Sequence, residues 1–426
     1  MQVQVKKSFY QSFGGLNFIE TDIQKIKFAD LVAQTIGLRS VLAQYSYGDL
    51  LKNIFYNTLI GGDVLDDLNV LKQQLQDHPH LHIASPDTIE YAFQELCQAT
   101  QTITTNSGVV HSINEHKGFN SLLIKLCSQT GLLKSTKNYT LDYDGHIIEN
   151  TKADNAFTYK QSQGYYSVVC SINKLPIYLQ NRKGNTPESF DQKNIIANAI
   201  TQCQQENISV TQFRADACCY EKNTVQYLAQ NNITYYIRAE LNQALRIALD
   251  DEPDWEPALL NNCKIEVCSI EEKIFGEDAY HRIVAYRRKL HNEQATIFDN
   301  NGYRYYAIVT SDKEATPIDV IIFYNQRGCW GEHHFKELDY DFSWNKLPFN
   351  SFELNTIYLY ATAVAYLLFQ YIKLKYADVL SFVDTSMRLK NFILHFVTLT
   401  ARWIRTGRQW VLNIFTSKNY QPLFDG

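Results

Sequence analysis

A mixed α/β fold is what the sequence predicts: a mixed sheet with helices packed on it, a β-rich insertion, and helical regions at both ends. Three observations carry this expectation. Apolar residues recur at helical spacing through residues 1–132. From Tyr139 to Arg238 the order reads strand, strand, strand, helix, strand, helix, strand. Between residues 243 and 312 the texture changes to short alternating runs. With 426 residues and 45% apolar content, the chain can bury a large core and has the length of two or three domains.

The elements follow in order. In residues 1–132, Leu31, Val32, Ile36 and Leu38 sit at near-helical spacing, and a second helix starts at Asp49-Leu50-Leu51 and ends near Gly61-Gly62. Leu65, Leu68, Val70 and Leu71 begin a third helix. Ser85-Pro86 reads as an N-cap with proline at the first helical position, ahead of Ile89, Phe93 and Leu96. In residues 133–242, strands are expected at Tyr139–Ile148, Gly164–Cys170, Leu175–Leu179, Ile208–Cys218 and Ile233–Arg238, with helices at Ser189–Gln205 and Asn223–Gln230. The insertion, 243–312, carries the runs Lys264–Cys268, His281–Arg288, Ala295–Phe298 and Tyr303–Thr310. In residues 313–350 a strand at Ile318–Tyr324 leads into a helix carrying Glu332. Residues 351–426 read as helical, and between 371 and 418 eight Lys/Arg stand against two Asp.

Composition narrows the function. A formal net charge of −5 argues against nucleic-acid binding by bulk charge, so any such contact must come from local basic patches. The nine cysteines form no CxxC pair; Cys263 and Cys268, and the adjacent Cys218 and Cys219, lack zinc-site spacing. They read as reduced thiols of a cytosolic protein. MQVQVKKSFY has no apolar signal core, and the apolar run Ile357–Phe369 is too short to span a bilayer, so a buried helix and no membrane partner are expected.

The chemistry lies in carboxylates. Asp142 and Asp144 are two apart on a predicted strand and share a face. Asp216 ends another strand, and Glu332 starts a helix. Any one of these, among 45 acidic residues, reads as ordinary surface decoration. Together they can converge at one sheet edge. Phosphodiester chemistry uses such a set to hold two hard cations roughly 4 Å apart.

Local sequence sharpens this. Residues 213–220 (FRADACCY), 324–332 (YNQRGCWGE) and the strand LDYDGH resemble the segments around the second Asp, the Glu and the first Asp of bacterial insertion-sequence transposases of the DDE class, the transposase DDE domain group 1 type. The likeness extends over roughly residues 40–410. It implies a ribonuclease-H-like core and metal-dependent cleavage and strand transfer at the ends of a mobile element. Asp144, Asp216 and Glu332 would be the catalytic and metal-holding triad, with Asp142 the rival for the first position. It further implies two Mg²⁺ or Mn²⁺ ions, double-stranded DNA (element ends and target) as partner, a homodimer on DNA, and a bacterial cytoplasmic protein associated with the nucleoid when bound. Residues 1–132 would be the DNA-binding region. Tyr324 and Arg327 match residues that contact phosphate, a role suited to the guanidinium fork. Lys336 lies near an expected basic position, and Arg238 and Asn242 fall where the family often has Arg and Asn.

There are departures. His146 stands where a hydroxyl residue is usual. Four residues separate Arg327 from Glu332 where three are usual, and the expected basic residue two turns later falls near Asp339. Gly328 and Gly331 favour a loop, which would absorb the extra residue. The alternatives are a catalytically silent DNA-binding relic or regulator on the same fold, or a metal-dependent nuclease. Four further readings are open. Arg182 and Asn185, in the turn NRKGN, read as phosphate contacts or as an exposed basic turn. Trp330 reads as core or as a base-stacking residue. His333 and His334 are adjacent, hence about 100° apart on a helix and a poor chelate. Arg388, Lys390, Arg402, Arg405 and Arg408 interleave with aromatics; Arg402 and Arg405 would share a helix face and track phosphates.

Overall fold

The computed structural model describes residues 3–4, 10–76, 78–276, 278–289 and 302–423, leaving aside the side chains of 328–334. The first helices are α1 (Leu16–Lys25), α2 (Phe28–Thr35), α3 (Tyr47–Leu59), α4 (Leu68–Gln74) and α5 (Pro86–Leu96). Two of them start as the sequence dictates. Ser46 and Asp49 form a reciprocal capping box on α3, and the Ser85 hydroxyl accepts from the Thr88 amide with Pro86 at the first position of α5. Leu38 and Val70, read from the sequence as part of the helical apolar spacing, are 80% and 50% exposed. A hairpin, β1 (Gln101–Thr104) and β2 (Val110–Asn114), interrupts the helical region before α6 (Lys117–Gln129). Its β-branched residues Thr102, Ile103, Val109 and Val110 favour the extended chain.

The central elements are β3 (Asn138–Glu149), β4 (Ala156–Phe157), β5 (Gln163–Ile172), β6 (Leu175–Lys183), α7 (Gln192–Gln205), β7 (Ser209–Ala215), α8 (Lys222–Gln230) and β8 (Thr234–Arg238). Their order in the sheet is β6-β5-β3-β7-β8. The β3–β5 and β5–β6 pairs are antiparallel, joined in the second case through Asn173 and Lys174, both at positive φ (52° and 68°) as a tight two-residue turn requires. The β3–β7 and β7–β8 pairs are parallel. Parallel neighbours need crossovers, which α7 and α8 supply. Three antiparallel strands followed by two parallel ones is the ribonuclease-H-like arrangement.

Next come α9 (Gln243–Asp251), β9 (Glu256–Leu260), β10 (Cys263–Lys273), β11 (Tyr280–Lys289) and β12 (Tyr303–Thr310). These strands extend the same sheet, because β12 pairs antiparallel with β8 (Ile308 opposite Arg238). The expected run Ala295–Phe298 lies outside the described residues.

Then α10 (Pro317–Asp341) and α11 (Phe352–Ala377) follow. The strand expected at Ile318–Tyr324 is the first part of α10. Thr316 caps the Asp319 amide, Pro317 sits at the first helical position, and Val320 and Ile321 are buried. A short apolar run cannot by itself distinguish strand from buried helix. The loop expected around Gly328 and Gly331 is also corrected: α10 is one helix across them. α11 has the length and hydropathy to cross a membrane, but 83% of its apolar window is buried against the rest of the protein, as expected of a core helix. It packs on α3, α5, α6 and β6.

The chain closes with a short helix, α12 (Leu389–Phe392), and a hairpin, β13 (Thr400–Thr406) and β14 (Gln409–Phe415). The shared helix face proposed for Arg402 and Arg405 is therefore replaced by strand geometry, which sends residues three apart to opposite faces. The turn places Gly407 and Arg408 at φ 56° and 68°, and Arg402, Arg405, Arg408 and Trp410 are exposed. Described cysteines are all free thiols.

Candidate active site

Parallel pairing of β3 and β7 sets the site. Asp142 lies opposite Arg214 and Tyr143 opposite Ala215. One residue further along each strand come Asp144 and Asp216, side by side where β7 ends. Asp216 then caps the turn Ala217–Cys219, its Oδ1 accepting from the Cys218 amide at 2.9 Å.

Asp142 and Asp144 share a strand but not an environment. Both Asp142 oxygens accept from Arg214, Nε at 2.8 Å and Nη2 at 2.9 Å. Arg214 also donates to the Phe323 carbonyl (2.9 Å) and lies over the Phe323 ring, so this buried pair ties β3 and β7 to α10. Asp142 keeps 9% of its side chain exposed, against 27% for Asp144. Asp144 Oδ1 is 3.1 Å from Nη2 of Arg327, which also donates to the Tyr143 carbonyl. Burial raises the Asp144 carboxyl above its ordinary value; Arg327 opposes this and Asp216 reinforces it. Burial alone would depress the Arg327 guanidinium, but Asp144, Tyr324, Asp216 and Asp142 around it hold it above its ordinary value. The phenol of Tyr324 is pushed up to about 12, mainly by burial, and is therefore a neutral donor near neutral pH.

A residue not singled out from the sequence, Glu188, joins this cluster from the loop between β6 and α7. Its Oε2 accepts from the Tyr166 hydroxyl at 2.6 Å, and its buried Oε1 has no hydrogen-bond partner. Ligand atoms of Glu188, Asp216 and Cys218 lie within 4.8 Å of one another. Gly145 makes the approach possible: a Cβ there would fall 2.6 Å from Tyr166 Cζ and 2.8 Å from Glu188 Cδ. Nothing in the local sequence PESF marks Glu188; its neighbours come from β3, β5 and β7.

The remaining expected residues divide. Arg182 is fully buried, with Nε on Gln180 Oε1 and its terminal nitrogens on the carbonyls of Pro187, Glu188 and Phe190. This corrects the expected phosphate contact: its donors shape the Glu188 loop instead. Asn185 is exposed and donates to the Val110 carbonyl at 3.0 Å. Arg238 is exposed, 5.8 Å from the Tyr306 ring, and Lys336 is exposed on α10. The side chains of Glu332, Trp330, His333 and His334 lie outside the described residues; the backbone of α10 spans them. His146 reaches α10 beyond them, its Nε2 2.8 Å from Asp339 Oδ1 and its ring stacked on Phe335 at 4.4 Å.

Carboxylate oxygens on a rigid sheet edge suit a hard divalent cation. Cys218 does not: its hydrogen bond to Cys219, then burial, raise the thiol far above its ordinary value and keep it protonated. Beside the cluster a cleft of about 790 Å³ opens between the start of α7 and the 217–223 turn, lined by Gln192, Cys218, Glu221 and Glu240 among others.

The family model described as transposase DDE domain group 1 matches residues 2–426. Among solved structures, the chain is similar to a piggyBac transposase in a synaptic complex with hairpin DNA, at 9% identity and a TM-score of 0.48, covering 90% of this chain and 80% of that one. No curated protein matches.

Proposed function

The chain belongs to the DDE transposase family, whose group 1 model matches residues 2–426, and from that premise we propose that Asp144, Asp216 and Glu332 are its catalytic, metal-holding carboxylates. Membership makes the chain a metal-dependent enzyme of DNA cleavage and strand transfer in transposition. The observation that carries the residue assignment is the register of β3 and β7. It sets Asp144 and Asp216 side by side, with Arg327 of α10, the helix of Glu332, on Asp144. Asp144 is preferred to Asp142 because Arg214 occupies both Asp142 oxygens.

Two Mg²⁺ or Mn²⁺ ions held by these carboxylates would activate the attacking oxygen and stabilise the leaving one. The protein's own groups do the rest. Arg327 balances Asp144 before substrate arrives and, with the neutral Tyr324 hydroxyl, donates to a phosphate near the cut once DNA is seated. The Arg182 clamp and the Arg214–Asp142 pair fix the strand ends, so the acidic groups need little rearrangement. Exposed Arg238 and Lys336 are suited to backbone phosphates, as is the basic C-terminal hairpin; no Asp or Glu occurs between residues 385 and 423.

The partner is double-stranded DNA, element ends and target, bound by a homodimer in the bacterial cytoplasm, with residues 1–132 among the DNA-binding parts. Asp216→Ala or Glu332→Ala is expected to abolish metal-dependent strand cleavage of element-end DNA while DNA binding persists. Wild-type cleavage by either variant would remove the assignment. A silent relic predicts no cleavage by the wild type, and a nuclease predicts cleavage without strand joining. Against the relic stands the pairing of His146 with Asp339, two family-divergent positions that meet each other; the third departure, the added residue between Arg327 and Glu332, falls within the continuous helix α10 and turns Glu332 by about 100° from the usual spacing.

A further inference from the structure

We infer that Glu188 is a fourth metal-ligating carboxylate of this site, presenting Oε1 to the cation that Asp216 holds. The inference rests on the reading of Asp144 and Asp216 given above.

Three features point there. The first is the unsatisfied oxygen. Oε2 accepts from Tyr166, whereas the buried Oε1 has no hydrogen-bond partner, and a carboxylate oxygen of Glu188 lies within 4.8 Å of ligand atoms of Asp216 and Cys218. A buried carboxylate oxygen without a donor is costly unless a cation meets it.

The second is charge. Asp142 and Arg214 neutralise one another. That leaves the carboxylates of Asp144, Asp216 and Glu188 near one another, with the Arg327 guanidinium on Asp144. Divalent cations held among these acids and Glu332 would offset their charge.

The third is construction. Arg182 and the Tyr143 hydroxyl, at 2.8 Å from the Glu188 carbonyl, hold the loop backbone, Tyr166 orients the carboxylate, and Gly145 leaves it room. Residues serving only the core do not need a side chain steered toward two other acids. The third member of the group, Cys218, offers sulfur, a soft donor that a hard cation disfavours.

The test is Mn²⁺ binding to the full-length protein without DNA, read by electron paramagnetic resonance of free Mn²⁺, beside thermal unfolding. Glu188→Gln keeps the shape and an oxygen for Tyr166. It is expected to weaken Mn²⁺ binding on the order of tenfold or more and to lose most of the rise in Tm that Mn²⁺ gives the wild type. Asp216→Asn is expected to weaken binding as well, and Cys218→Ser to leave it unchanged. If Asp216→Asn weakens binding and Glu188→Gln does not, Glu188 is not a ligand and the two-aspartate reading stands. If neither Asp144→Asn nor Asp216→Asn weakens binding, the site reading fails and this inference with it. Should Glu188→Gln unfold the protein, Tyr166→Phe, which frees the carboxylate while keeping it, is expected to lower Mn²⁺ affinity measurably. Unchanged affinity in Tyr166→Phe would then overturn the inference.

Discussion

His146 on β3 and Asp339 on α10 meet at 2.8 Å, with the imidazole stacked on Phe335. Both positions depart from the pattern of related transposases, where a hydroxyl residue and a basic residue are usual. The contact couples the strand of Asp144 to the helix of Glu332. His146→Ala and Asp339→Ala are each expected to lower strand cleavage, about tenfold if the contact holds α10 in place. In a double-mutant cycle the two losses would be strongly non-additive, by roughly 0.5–3 kcal/mol. Additive losses in single-turnover cleavage would show that the pair does not act as a unit.

Asp142 and Asp144 separate by experiment. Breaking a buried ion pair by removing one partner costs roughly 3–5 kcal/mol. Asp142→Asn, which strands Arg214, is therefore expected to lower stability in urea unfolding by an amount of that order. Asp144→Asn should leave stability nearly unchanged and eliminate cleavage. A stable, inactive Asp142→Asn together with an active Asp144→Asn would reverse the assignment.

The C-terminal hairpin is expected to contribute to DNA affinity. Arg405→Ala with Arg408→Gly removes two exposed charges; glycine suits the positive φ of 68° at 408. The prediction is weaker binding and a salt-dependence slope reduced by about 1.8, roughly 0.9 for each phosphate no longer neutralised. An unchanged slope in titrations at several salt concentrations would take the hairpin off the DNA surface.

His78 gives a pH dependence of stability. Its Nδ1 accepts from the amides of His80 and Leu81 (3.1 and 2.8 Å), leaving Nε2 to donate to Asn17. Burial, then His80 and His82, lower its pKa to about 4. The folded state therefore keeps it neutral while the unfolded chain protonates near 6.5. Stability from this group is intact above about pH 6.5 and is lost as pH falls toward about 4, by on the order of 2–3 kcal/mol. Urea unfolding at about pH 7 and about pH 5 should show this loss, and His78→Asn should reduce it.

The sheet was legible in sequence because its strands carry their own periodicity: Gly164–Cys170 and Leu175–Leu179 alternate or run apolar, and the helices between strands predict the parallel pairs. Ile318–Tyr324 misled because a short apolar run fits strand and buried helix equally, although Thr316-Pro317 is a helix start. The terminal hairpin was missed because the spacing of Arg402 and Arg405 suits a helix, while Gly407 between aromatic and β-branched flanks signals the turn. Asp144 and Asp216 were legible through local motif. Glu188 was not, since what distinguishes it is the company of Tyr166, Gly145 and Asp216, brought together only by the folded sheet. Arg182 looked like a surface basic turn because the sequence does not show that its donors meet three backbone carbonyls.

That Asp216 holds the metal used in cleavage is tested most directly by Asp216→Cys on element-end DNA. Cysteine offers a softer donor, which Mg²⁺ rejects and Mn²⁺ tolerates better. No strand cleavage is predicted in Mg²⁺ and partial recovery in Mn²⁺, with DNA binding intact in both. Cleavage in Mg²⁺ at the wild-type rate would contradict a metal-holding role for Asp216.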